Sequence, residues 1–107
     1  MSLPEQMAAY NDCYEFFERA QASTKGIRIP VADEPAARYL RIRMNMSRVL
    51  ERREAMRLYE KHDPRYAKSV NDKFRVTFRP AAENDGTYWV YIEPWSAEIY
   101  EGVEELE

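Results

Sequence analysis

Residues 33–60 read DEPAARYLRIRMNMSRVLERREAMRLYE, and the spacing within this stretch predicts the helix around which the chain folds. At 100° per residue, polar side chains at spacings of three and four fall on one line of a helix. This arginine line consists of Arg38, Arg41, Asn45, Arg48 and Arg52. Most other positions of the first four turns are apolar, namely Ala36, Ala37, Leu40, Ile42, Met44, Met46, Val49 and Leu50. We therefore expect the helix to be buried on several sides, with the arginine line facing solvent.

The first 35 residues carry signals for the start of the central helix and for two further elements before it. Asp33 is a suitable N-cap for the central helix, and Pro35 fits its first turn. Upstream, Ser2 and Glu5 have the spacing of a capping box, and apolar residues recur from Met7 to Ala20. That pattern predicts one amphipathic helix of about five turns. Residues 27–31 alternate and predict a short strand, in which a proline favours an edge position.

Two alternating runs, residues 73–79 and 87–95, predict a β-hairpin, because Asn-Asp-Gly turn chemistry lies between them. One face of the hairpin is apolar and is expected to pack on the central helix. The predicted core consists of Leu40, Met44, Phe74, Val76, Phe78, Val90 and Ile92. The opposite face collects basic and aromatic side chains, namely Lys73, Arg75, Thr77, Arg79, Trp89, Tyr91 and Trp95.

These elements predict an α+β fold in the order α-β-α-β-β, with a small antiparallel sheet on the long central helix. Residues 1–95 form a single domain in this interpretation, and residues 96–107 are an acidic C-terminal tail. The chain of 107 residues is long enough for one hydrophobic core. Its single cysteine, Cys13, excludes an internal disulfide and indicates a reducing compartment. We expect Cys13 to be a small core residue and not a reactive thiol. No signal peptide or membrane span is recognised, so a soluble cytoplasmic protein is expected.

The net charge of −3 conceals a strong segregation of charge. Residues 25–79 hold fifteen Lys and Arg against seven acids, a net of +8, whereas residues 80–107 carry eight acids and no base. The basic middle of the chain could bind a polyanion, because the distribution of charge along the chain matters more than the net charge. The tail could fold over this middle as an internal phosphate mimic, or it could dock on another protein.

Catalytic patterns are not recognised in the sequence. It lacks a Gly-rich phosphate loop, a paired nucleophile and base, and the HExxH and CxxC motifs. We therefore expect a non-enzymatic protein without cofactor, metal or small-molecule substrate.

Two features are candidates for a binding surface, and each has an ordinary structural alternative. Guanidinium groups of the arginine line can bind phosphates, and Asn45 can read a base edge, but charged stripes on helices are often only solvated faces. On the hairpin, Arg75 and Arg79 with Trp89 and Tyr91 could neutralise phosphates and stack bases. Alternatively, the N-terminal helix or the tail covers that face and makes its tryptophans core residues.

The segments KGIRIP (25–30), ARYLRIRMNMSRVLERRE (37–54), KSVNDKFRVTF (68–78) and YWVYIEP (88–94) resemble small accessory proteins encoded by tailed bacteriophages. The resemblance implies a small cytoplasmic protein that acts in an infected host by binding host or phage macromolecules. Two hypotheses follow from the sequence. One is a regulatory protein, monomer or homodimer, that binds DNA or RNA through the arginine line and the hairpin. The other is a modulator or inhibitor of a host enzyme that acts through the acidic tail or the aromatic hairpin.

Overall fold

The computed structural model describes residues 1–81 and 85–95, and this part of the chain has the predicted α+β architecture. Its elements are α1 (Leu3–Ala8), α2 (Asn11–Ala22), β1 (Ile27–Val31), α3 (Glu34–Leu58), β2 (Phe74–Pro80) and β3 (Tyr88–Pro94). The predicted tail, residues 96–107, lies outside the described residues. No described helix combines the length and the apolar character needed to span a membrane.

The sheet has β3 at its centre, with β1 and β2 paired antiparallel on either side. The predicted hairpin is formed by β2 and β3, with Val76 opposite Ile92 and Arg79 opposite Trp89. β1 is an edge strand, as its proline indicated. The turn into β1 requires glycine, because Gly26 has a φ of +89° and an added Cβ would lie 2.1 Å from the Ile92 carbonyl oxygen.

The predicted single N-terminal helix is wrong, since the chain forms two helices separated at Ala9 and Tyr10. Arg43 of α3 stabilises the break. Its guanidinium donates to the Ala9 carbonyl, 2.8 Å away, pairs with Asp12 and stacks over the Tyr10 ring. The side chain of Ser2 caps α1 as predicted, by accepting the amide of Glu5.

The long central helix α3 begins where the sequence indicated. The Asp33 carboxylate accepts the amide of Ala36 at 2.8 Å, which satisfies a backbone donor of the first turn. From this cap the helix runs 25 residues to Leu58 and packs across one face of the sheet. It therefore spans about 37 Å at 1.5 Å per residue and carries side chains to several sites.

The core lies between the helices and one face of the sheet. Five of the seven predicted core residues are buried, namely Met44, Phe74, Val76, Val90 and Ile92. Leu40 and Phe78 are only partly buried at the margin of this core. The helix α2 adds Cys13, Phe17 and Ala20, and the rings of Phe17 and Phe74 stack with centroids 5.9 Å apart.

The expectation that Cys13 is a core filler is confirmed, because its side chain is fully buried. Burial, and to a smaller extent the neighbouring Asp12 carboxylate, raises the pKa of this thiol to about 11. Since the thiolate is the reactive form, Cys13 is an inert core residue at neutral pH.

The expectation that α3 is buried on several sides is wrong for its outer side. Ile42 is 58% exposed and Met46 is 39% exposed, although both belong to the apolar set. The sheet covers one side of α3 and the N-terminal helices cover another. Ile42 and Met46 point away from both, so this side carries more apolar surface than the described fold uses.

Candidate functional site

A groove of about 450 Å³ between α3 and β2 brings together parts of both predicted binding features. It is lined by Arg41, Asn45, Arg48, Arg52, Asp72, Phe74, Arg75, Val76, Thr77 and Trp95. Four arginines therefore face one carboxylate across a surface depression. Such an excess of guanidinium groups favours an anionic ligand.

Arg48 does not face solvent, contrary to the expectation for the whole arginine line. Its side chain is half-buried and donates to the backbone carbonyls of Phe74, at 2.5 Å, and Asn71, at 3.3 Å. Burial lowers the pKa of this guanidinium. Arg48 thus ties the start of β2 to α3, and only part of the group is available to a ligand in the groove.

Arg52 is fixed in a different way, by a bidentate ion pair with Asp72. Burial by itself would raise the pKa of the Asp72 carboxyl, but hydrogen bonds from Arg52 and from the Ser69 amide outweigh it and lower that pKa. Asp72 therefore stays ionised and neutralises part of the positive charge at this end of the groove.

The chain between α3 and β2 is held by a polar network that the sequence did not reveal. Asn71 is only 4% exposed, donates to the Glu51 carboxylate at 2.8 Å and accepts from Gln21 at 2.9 Å. Ser69 also donates to Glu51, at 3.0 Å. The only hint in the sequence was a cluster of hydrogen-bonding side chains, Ser69, Asn71 and Asp72, directly before a strand. This network fixes the wall of the groove that carries Asp72.

The N-terminal part of the arginine line remains accessible. Arg38 is exposed and pairs with Glu34 on the same helix at 2.7 Å. Arg41 is exposed, and among the described residues no carboxylate lies within ion-pair distance of it. The carboxamide oxygen of Asn45 accepts a hydrogen bond from Arg48, so its NH₂ group is the part that can face a ligand.

The outer face of the sheet combines cations and aromatic rings as the hairpin pattern predicted. Arg79 lies 3.7 Å from the centroid of the Tyr91 ring, and Arg28 lies 4.0 Å from that of Trp89. Arg28 was missed by the sequence analysis, because strand pairing across β1 and β3 could not be deduced from alternation alone. Glu93 lies between Arg75, at 3.6 Å, and Arg79, at 3.3 Å, and reduces the charge of this face.

The described helices leave this face open. Their core contacts are to the opposite side of the sheet, where Phe74, Val76 and Val90 are buried. The alternative in which the N-terminal helix covers Trp89 is therefore wrong. Trp95 is 48% exposed and lies where the groove meets the open face, with Arg75 6.0 Å from its ring centroid. The alternative in which the tail covers this face falls outside the described residues.

The groove and the adjoining sheet face are suited to a ligand that carries negative charge and flat rings. Within residues 1–81 and 85–95, no cluster of three or more His, Cys, Asp or Glu side chains is placed to hold a metal ion. The described geometry instead supplies guanidinium donors in a groove and guanidinium–aromatic pairs on an adjoining face. No family model, curated protein or solved structure matches the chain.

Proposed function

We propose that the protein binds single-stranded nucleic acid along the groove and across the open face of the sheet. The proposal rests on one observation, which is that the arginine line and the basic–aromatic face of the hairpin meet in the groove. Arginines of α3, Arg75 of β2 and the ring of Trp95 line the same groove. Nonspecific single-strand binding combines such a basic track for phosphates with aromatic rings on which bases stack.

The groove would hold the sugar–phosphate backbone. Arg41 has no carboxylate partner among the described residues, so its guanidinium can bind a phosphate without losing an ion pair. Arg48 and Arg52 would contribute positive potential while staying attached to their structural partners. The NH₂ group of Asn45 could then donate to a base or sugar beside the backbone.

The shape favours a single strand over a duplex. To read the major groove of DNA, a helix must project from the protein surface. Here all of the arginine line except Arg38 faces β2 across a depression, and Arg48 is anchored within it. A flexible single strand can enter such a depression, because its backbone is narrow and its bases can turn towards one side.

The open face of the sheet would receive the bases. Its rings already carry guanidinium groups, with Arg28 over Trp89 and Arg79 over Tyr91. Bases stack on arginine planes as well as on aromatic rings. Each pair therefore offers a stacking surface and a positive charge for a neighbouring phosphate.

This is a binding function and not a catalytic one. The resemblance to phage accessory proteins would place the activity in the cytoplasm of an infected bacterial cell. A regulatory protein in that setting would act by occupying exposed single strands of host or phage nucleic acid.

The test uses the intrinsic fluorescence of Trp89 and Trp95, the only tryptophans in the chain. Adding oligo(dT) or oligo(U) should quench this fluorescence, because stacking brings bases against the rings. Log affinity should fall with log salt by about 0.7 per phosphate neutralised. Arg41→Gln and Arg79→Gln should each lower the slope by about 0.7.

Arg19→Gln is the matched control, since it removes the same charge from the surface of α2, where Glu15 is the one carboxylate among the described residues that pairs with Arg19. It should leave the slope unchanged. If all three variants lowered the salt slope equally, the binding would be due to nonspecific attraction by the overall positive charge. Absence of salt-dependent binding to any single strand would refute the proposal.

A second candidate, modulation of a host protein, is favoured by the composition of the open sheet face. Aromatic residues and arginine are enriched at protein interfaces, and Trp89, Tyr91 and Arg79 lie together here. A pull-down from bacterial lysate with and without nuclease separates the two functions. A protein that remains bound after nuclease treatment, and is lost with Arg79→Glu, would favour the second.

A further inference from the structure

The outer side of α3 carries an exposed apolar stripe that none of the described elements covers. Tyr39 is 65% exposed, Met56 is 50% exposed, and Ile42 and Met46 lie between them. With Val49 and Arg53, these positions alternate spacings of three and four along the helix. That alternation is the pattern of a seam that receives a second helix or an amphipathic segment.

The N-terminal end of this stripe contains a depression suited to an apolar side chain. Its volume is about 390 Å³, and it is lined by Glu34, Pro35, Arg38, Tyr39 and Ile42. The ring of Tyr39 and the side chain of Ile42 supply apolar surface, while Arg38 lies at the rim. Because Arg38 is already paired with Glu34, this depression selects for an apolar side chain and not for an acid.

The charges within and beside the stripe indicate what kind of segment it fits. Arg41, Arg53 and Arg57 are exposed, and none has a carboxylate within ion-pair distance among the described residues. If the same face of a second copy docked there, it would place arginines against arginines, which is unfavourable. The stripe is therefore complementary to an acidic amphipathic segment.

The chain itself contains such a segment in residues 96–107, SAEIYEGVEELE. It carries five glutamates and no base, and Ile99, Val103 and Leu106 are spaced by four and three. Residues at these spacings share one side when a segment is helical. The segment follows Trp95, which lines the groove together with Arg41 and Asn45. As a helix these twelve residues would span about 18 Å. Trp95 already lies beside α3, so the outer side of that helix is within range.

We propose that residues 96–107 dock on the outer side of α3 of the same molecule. Ile99, Val103 and Leu106 would cover the stripe of Tyr39, Ile42 and Met46. The glutamates would then lie near Arg41, Arg53 and Arg57. Docking within one molecule is favoured over docking on another copy, because the short connection from Trp95 gives a high effective concentration. This inference does not depend on nucleic-acid binding.

The experiment places a nitroxide on the full-length chain through Glu107→Cys. The native Cys13 is fully buried and its thiol pKa is raised, so only the new cysteine should react. Paramagnetic broadening of amide signals is then recorded in the absence of nucleic acid. We expect broadening at Tyr39, Ile42 and Met46, and none at Trp89 or Tyr91.

Ile42→Ser with Met46→Ser tests the apolar contact and should abolish the broadening on α3. Both side chains are exposed, so the fold should persist, which the unchanged signals of β3 would verify. Uniform broadening, or broadening that survives the double substitution, would overturn the proposal. So would broadening in a mixture where the nitroxide and the isotope label are on different molecules, since that result would assign the docking site to a second copy.

Discussion

Arg48 and Arg41 belong to the same arginine line on α3, but Arg48 stabilises the fold whereas Arg41 is available to a ligand. Arg48 donates to two backbone carbonyls and is half-buried, whereas Arg41 has an exposed guanidinium. Spacing along a helix predicts which residues share a side, but not which of them meet a neighbouring loop. The chain before β2 decides this, because it brings the carbonyls of Asn71 and Phe74 to Arg48.

This difference predicts unequal effects on stability. Arg48→Met should lower the free energy of unfolding by about 1–3 kcal/mol, because it leaves partly buried carbonyls without their donor. Arg41→Met should change it by less than about 0.5 kcal/mol, as for most exposed positions. Urea denaturation measures both values. Equal effects of the two substitutions would mean that the Arg48 contacts contribute nothing.

The surroundings of the Glu51 carboxyl group should make the stability of the fold depend on pH. Its carboxylate is half-buried, and burial raises its pKa above the ordinary value of 4.5, although hydrogen bonds from Asn71 and Ser69 offset part of this. The folded state then binds a proton more tightly than the unfolded chain. Stability attributable to Glu51 should therefore fall as pH rises from about 4.5 through the raised pKa, and recover as pH is lowered.

Glu51→Gln isolates this contribution, because the amide oxygen can still accept from Asn71 and Ser69 but does not titrate. The free energy of unfolding of the variant minus that of the wild type should therefore be larger at pH 7 than at pH 4.5, because only the wild type loses stability over this range. Asp72 titrates in the opposite sense, since its pKa is lowered from 3.8, and its effect lies below this window. A difference that is constant with pH would show that Glu51 is solvated in the folded state.

At the scale of elements, α3 packs against the sheet and the N-terminal helices but leaves its outer side and its C-terminal end exposed. Met44 is fully buried among residues of the sheet and α2, whereas Leu58 at the end of the same helix is 62% exposed. Met44→Ala should lower the free energy of unfolding by about 2–5 kcal/mol. Leu58→Ala removes a similar volume and should cost less than about 0.5 kcal/mol. A thermal melt in which both variants match the wild type would place Met44 outside the core.

The elements that were predicted correctly are those with a regular pattern and a clear boundary. Alternation and an Asn-Asp-Gly turn predicted β2 and β3, and Asp33 predicted the start of α3. The break between α1 and α2 was not predictable, because its stabilising partner Arg43 lies more than thirty residues away. The exposed side of α3 was also missed, since apolar residues on all sides of a helix do not reveal which side meets the sheet.

At the scale of the molecule, the sequence predicted the components of the site but not their assembly. The arginine line and the basic–aromatic strand face were both recognised from spacing. Their meeting in one groove depends on the packing of α3 beside β2, and on the network of Asn71 that holds the intervening chain. Such long-range contacts between polar side chains leave no periodic signal. The groove could therefore be found only in the folded chain.

The segregation of charge along the chain leads to a last prediction, which joins the two proposals. If residues 96–107 dock on α3, they lower the positive potential around Arg41 and compete with a bound single strand. A docked state occupied about nine-tenths of the time would raise the apparent Kd for oligo(dT) about tenfold. Two full-length variants distinguish how the segment acts. One neutralises Glu101, Glu104 and Glu105 with Gln, and the other replaces Ile99 and Val103 with Ser.

If apolar docking positions the acids, both variants should bind oligo(dT) more tightly at low salt, and the advantage should shrink as salt screens the charges. If the acids act only through their long-range field, the Gln variant alone should gain affinity, because the Ser variant keeps every charge. Fluorescence titrations of Trp89 and Trp95 at two salt concentrations measure both effects. Unchanged affinity in both variants would mean that the acidic segment and the groove act independently, and that the basic middle of the chain is permanently available to its ligand.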